Sequence, residues 1–155
     1  LNVISDCIAN GTVAGGTRVA LGAGSNSQGT IKTILVSGSV SGSSSVAGIT
    51  GYVWDNNTKG INIGGSITAS SSVGRAWGSK YIGTTSTNYS LNTVTVNGST
   101  VSIADTASTH GADLTAADLL LSTTYTNFGF NFTDEALDYV WYLDGSSATF
   151  REGTL

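Results

Sequence analysis

His110 is the one imidazole of the chain, set in Ser108-Thr109-His110-Gly111-Ala112-Asp113, and Cys7 is the one thiol. With 22 serines and eight aspartates to draw on, a Ser–His–Asp triad is the first chemistry to test. Such a nucleophile sits on a strained strand-to-helix elbow of the form Gly-x-Ser-x-Gly. The chain offers Gly38-Ser39 and Gly42-Ser43 instead, both inside repeated segments. His110 is therefore read as a surface-loop residue ahead of a helix, with no catalytic role. A lone cysteine makes neither an internal disulfide nor a cysteine-based zinc site.

Carboxylates could hold a hard cation. Asp55-Asn56-Asn57-Thr58-Lys59-Gly60 begins like a calcium loop. Lys59, however, occupies the fifth position, and Ser66 stands where a bidentate acid is required. The segment is read as a turn. Asp134, Glu135 and Asp138 are the better calcium candidates, because closely spaced carboxylates can converge; a solvated acidic turn is the plainer account. No other cofactor is expected. Paired acids could also cleave glycans, but Asp6, Asp55, Arg18, Lys32, Lys59, Arg75 and Lys80 form no charged ladder along the repeats. Catalysis is not expected. Trp54, Trp77 and Tyr52, with Tyr81 nearby, could instead stack on sugar rings from an outer face.

A repeat sets the strands and turns on which these residues lie. Residues 34–51 align without gaps to 7–24 and to 61–78, a period of 27. The shared columns are Cys7/Ile34/Ile61, Ala9/Val36/Ile63, Gly11/Gly38/Gly65, Val13/Val40/Ile67, Val19/Val46/Val73 and Gly24/Gly51/Gly78. A looser fourth copy runs over 94–103, after an insertion around Gly83–Asn88. Each unit alternates apolar residues with period 2, bends at a glycine and re-enters the core. One such coil cannot cover its own apolar face, so coils must stack. The expectation is an all-β parallel β-solenoid of three to four 27-residue coils over 1–111, in units near 7–33, 34–60, 61–88 and 94–111.

Composition agrees. Of 155 residues only 10% are charged, while 21 Gly, 22 Ser, 22 Thr and 11 Asn fill the space. Stacked coils set like residues above one another, and hydroxyl or amide ladders do so without repulsion. The best helix is expected at 112–122, where Thr115 and Asp118 make a capping-box-like start. Residues 112–155 are read as a C-terminal cap, with aromatics (Tyr125, Phe128, Phe130, Phe132) and a strand over 139–143. No apolar run approaches the ~18 residues that cross a membrane as a helix. The net charge of −4 disfavours nucleic acid. Five basic and two acidic residues lie in 1–104, against one basic and eight acidic in 105–155.

The segments GTIKTILVSGSVSGSSSVAGITGY (29–52) and GINIGGSITASSSVGRAWG (60–78) resemble the GLUG repeats of bacterial surface proteins. The tail is also similar to the segment that often succeeds such repeats, with Leu114-Thr115 to Leu119, the Phe128–Phe132 stretch and Trp141. The resemblance implies a right-handed β-helix-like module of secreted or surface-anchored proteins, with no catalytic residues to carry over. The first expectation is thus a non-catalytic extracellular module for adhesion or display, its partner a surface glycan or protein and its contacts Trp54, Trp77 and Tyr52. The second is a structural subunit whose copies assemble into a filament or layer. The third is a glycan-active β-helix enzyme.

Overall fold

The computed structural model describes residues 2–54, 58–81 and 87–130, together with the backbone of strands at 139–143 and 148–152. In chain order the strands are β1 (Asn2–Ala14), β2 (Thr17–Ala20), β3 (Ala23–Asn26), β4 (Gly29–Ala47), β5 (Thr50–Val53), β6 (Thr58–Gly74) and β7 (Trp77–Lys80). Next come β8 (Tyr89–Leu91), β9 (Thr95–Val96), β10 (Ser99–Thr100), β11 (Ala112–Leu114), a 3-10 turn (Asp118–Leu120) and α1 (Ser122–Thr126). Strands β12 (Tyr139–Leu143) and β13 (Ala148–Glu152) form an antiparallel hairpin.

The expected solenoid is present, with about four turns. Its main sheet runs β1-β4-β6-β8-β11, and a second runs β3-β5-β7. Between β1 and β4 every pair is 27 residues apart and parallel, from Asn2↔Gly29 to Ala14↔Ser41. The same spacing pairs β3 with β5 and β5 with β7.

Corners recur with the same period. Arg18, Ser45 and Ser72 adopt φ of 57°, 56° and 49°, the left-handed conformation, at equivalent places in three coils. Asp6 and Thr33 form a shorter column of the same kind, at 54° and 50°. Gly11, Gly38 and Gly65 carry φ of 145°, 137° and 106°. A Cβ on Gly38 would strike the Gly11 carbonyl, and one on Gly65 the Gly38 carbonyl, so stacking itself excludes side chains there.

Two clusters fill the interior. One joins Ile31, Ile34, Val36, Ile49 and Ala76; the other joins Val19, Val40, Val46, Ile67, Ala69 and Val94. The Ser39 and Ser66 hydroxyls meet at 3.2 Å, a step of the expected hydroxyl ladder, while the Ser45 and Ser79 hydroxyls, 34 residues apart, join two different columns at 2.7 Å.

Three expectations need correction. The ladder slips between coils two and three, so Ile34 faces Gly60, Leu35 faces Ile61 and Val36 faces Asn62, before Ser37↔Gly64 restores the period of 27. Ile61 therefore leaves the Cys7/Ile34 column and joins Leu35 in a separate cluster with Leu114, Leu119, Tyr125, Phe128 and Phe130. Residues 112–122 are not one helix: Ala112–Leu114 pairs with Tyr89–Leu91, and helical turns begin only at Asp118–Leu120 and Ser122–Thr126. The Thr115–Asp118 exchange forms as read, each accepting the other's backbone N–H at 3.2 and 2.7 Å. It opens a 3-10 turn because β11 uses the preceding residues. The fourth repeat stacks Val96 on Ile67, then reverses at Asn97-Gly98 into an antiparallel β9–β10 hairpin.

Candidate functional site

Position 54 lies one coil before position 81. The Trp54 N–H donates to the Asn26 carbonyl at 3.0 Å, and the Tyr81 N–H donates to the Val53 carbonyl at 3.0 Å. This stacking brings the two rings to 4.5 Å between centroids, at 25° between planes. Tyr52 lies 6.3 Å from Trp54, tilted by 51°. Arg18 of the first coil sets its guanidinium 4.4 Å from the Tyr52 ring centroid. Trp54 is 44% and Tyr81 61% exposed. The result is an aromatic ledge along the side of the solenoid, with a cation at one end. Such a surface stacks on apolar ring faces and takes cationic or polar groups at its rim.

Of the expected contacts, Trp54 and Tyr52 come together and Tyr81 joins them. Trp77 does not. It packs half-buried against the Ile31/Ile34/Ile49/Ala76 cluster, its indole N–H buried without an acceptor among the described residues. The Lys80 ammonium lies 5.9 Å from its ring. Arg18 is the member that sequence reasoning missed, though spacing held the signal. Ser45 and Ser79 touch 34 residues apart, and Arg18 and Tyr52 are the same pair one coil earlier.

A second cluster closes the far end of the main sheet. Arg75 is fully buried, and its Nη2 donates to the Asp113 carboxylate at 2.5 Å and to the Gly111 carbonyl at 3.2 Å. The Ile103 N–H donates to the other Asp113 oxygen at 3.1 Å. Burial alone would raise the Asp113 pKa; the Arg75 hydrogen bond and charge, with the Ile103 amide and Ser102 hydroxyl, outweigh it and hold it below the ordinary value. His110 is half-buried beside this pair, not on an open loop. Burial first, then the Arg75 charge, lower its pKa, against a smaller opposite pull from Asp113. The arrangement is an ion-pair latch between the turn after β6 and β11, with no serine hydroxyl donating to His110 among the described residues.

Asp134, Glu135 and Asp138 lie outside the described residues, as do Asp55, Asn56 and Asn57. Among the described residues no group of three His, Cys, Asp or Glu side chains gathers to hold a metal. No helix among them is long and apolar enough to cross a membrane. No protein-family model matches the chain, and no match was found among curated proteins or solved structures.

Proposed function

We propose that the chain is a non-catalytic extracellular β-solenoid module that presents a binding ledge for adhesion or display. The observation that carries this reading is the exposed Trp54–Tyr81 stack flanked by Tyr52 and Arg18. A rigid stack of coils holds these rings in fixed register, so little conformational entropy is lost when a ring-shaped ligand docks. The charge-poor, hydroxyl-rich coils and the GLUG-like repeats favour an extracellular setting and a neutral glycan partner. Each described carboxylate is also engaged locally, which supports a binding role over an enzymatic one. Asp6 meets Thr33, Asp105 accepts the Ala107 N–H, Asp113 meets Arg75, and Asp118 accepts from Thr115.

The test is a panel of soluble polysaccharides titrated against intrinsic tryptophan fluorescence. Binding that shifts the emission, and falls at least tenfold in Trp54→Ala or Tyr81→Ala but not in Lys59→Ala, is the expected result. No binding across glycans and host surfaces, or binding indifferent to Trp54→Ala, overturns the site.

A further inference from the structure

Positions 21, 48 and 75 are equivalent in three successive coils and hold Leu21, Gly48 and Arg75, so a coil closes at this place without a charge. Arg75 is nevertheless fully buried. Its Nη2 has Asp113 and Gly111 as partners, while its Nε and Nη1 have no acceptor among the described residues. A buried ion pair adds little net stability over apolar packing, yet upsetting its balance is costly. His110 lies beside this pair, and its Nδ1 is buried without a partner among the described residues. A proton on that nitrogen would find no acceptor. It would also make a second cation next to the guanidinium, with one carboxylate, Asp113, to balance both.

The turn that carries His110 closes the third coil. The Thr109 carbonyl accepts from the Ala76 and Trp77 N–H groups at 3.0 and 3.1 Å. One coil earlier the Ala76 carbonyl accepts from Ile49 and Thr50 in the same way, at 3.1 and 3.0 Å. Thr109 is thus a fourth rung, and it sits tight: a Cβ on Gly74 would strike its carbonyl. Two fastenings hold this end of the molecule. On one flank Leu119, Tyr125 and Phe128 pack with Leu35 and Ile61. On the other is the Arg75–Asp113 contact, the one ion pair among the described residues. The apolar flank carries no titratable charge; the polar flank does.

We propose that the 108–113 turn is an acid-operated latch: a proton on His110 sets two cations against the single Asp113 carboxylate, the Arg75 contact lets go, and the turn swings off coil three while the aromatic flank stays packed as its hinge. The charged groups on the surrounding elements fit this device. Arg75, on the turn after β6, opposes the imidazolium, and Asp113, on β11, favours it. Asp105, on the preceding segment, directs its carboxylate to the Ala107 N–H at 2.8 Å, and the Lys80 ammonium of β7 lies 5.9 Å from the Trp77 ring. Burial and Arg75 together outweigh Asp113, so the folded pKa of His110 lies below the ordinary 6.5. The closed turn is therefore favoured above that ordinary value and loses ground as pH falls towards the folded one. Opening wets the imidazole and leaves the Ala76 and Trp77 N–H groups as free edge donors.

The experiment is amide hydrogen exchange on the 155-residue chain from about pH 8 downward, stopping above the ordinary carboxylate value of 3.8, so that the imidazole titrates and Asp113 does not. The expected result is a loss of protection of at least tenfold at Ala76, Trp77 and Ala112–Leu114, after correction for the intrinsic rate, while β4 and β5 stay protected. His110→Asn and His110→Gln, neutral at every pH, show no such step, whatever protection they have at the start. Wild-type protection that ignores pH overturns the proposal. So does a loss that spreads through β4 and β5, which is unfolding of the whole molecule, and so does the same step in both neutral variants. The Trp54 ledge takes no part in the latch, so glycan binding there is read separately.

Discussion

At Gly38 the neighbouring coil's carbonyl occupies the space a Cβ needs, while at Gly11 nothing lies within 4 Å. The two residues share a column and a positive φ, so comparing them separates backbone strain from collision. Gly11→Ala is expected to cost about 1–3 kcal/mol from the unusual φ alone. Gly38→Ala adds the clash and should exceed ~4 kcal/mol, in the exceptional range for one substitution; urea unfolding at fixed protein concentration checks both. The Arg75–Asp113 pair gives a second comparison. Asp113→Ala leaves a fully buried guanidinium uncompensated and should cost about 3–5 kcal/mol, whereas Arg75→Met with Asp113→Leu should recover most of it. The pH dependence comes from His110 and Asp113, whose folded pKa values are both depressed. Each stabilises the fold above its unfolded pKa and loses that contribution as pH falls towards its folded value. Melting temperature should therefore drop first below about pH 6.5, through His110, and again below about pH 3.8, through Asp113. His110→Asn should remove the upper step alone, and an unchanged profile would sink the assignment.

The C-terminal segment shows what local pattern can and cannot decide. Within 112–122 the helix-favouring residues and the Thr115–Asp118 exchange are correctly legible. Sequence alone does not reveal that Tyr89–Leu91 offers a parallel edge to Ala112–Leu114 across 23 residues of irregular spacing. Tertiary pairing then overrides propensity. Ile61 is the matching case in the repeats. A one-residue difference in spacing around Ile34 and Ser37 turns Ile61 towards the aromatic segment, and a gapless alignment has no means of seeing it. That segment is held by buried apolar groups: Phe128 meets Tyr89 edge-on at 4.8 Å, and the Tyr125 hydroxyl donates to the Leu119 carbonyl at 2.8 Å. Phe128→Ala should cost about 3–5 kcal/mol and raise dye binding by uncovering Leu35 and Ile61, while Tyr125→Phe should cost about 1–2 kcal/mol.

For the molecule as a whole, the period of 27 predicts nearly all of the architecture, because stacking forces equivalent residues into one column. The ledge is half legible: 27-residue spacing sets Tyr81 on Trp54, and Tyr52 lies two residues before Trp54 on the same segment. Trp77 packs inward on the core cluster, in register with the fully buried Thr50 of the preceding coil. The long-range Arg75–Asp113 pair obeys no period and leaves no mark in the sequence. The same one-sided stacking has a mechanical consequence. Hydrogen bonds between coils run along the solenoid axis, so a pull on the β1 end loads them one at a time, as a zipper is loaded, and not all together in shear. The chain should yield at low force, in successive releases of 27 residues, each adding roughly 90 Å of extended contour. A rod of this kind gives way by paying out length, one coil per event, while the latched end near Arg75 holds to the last.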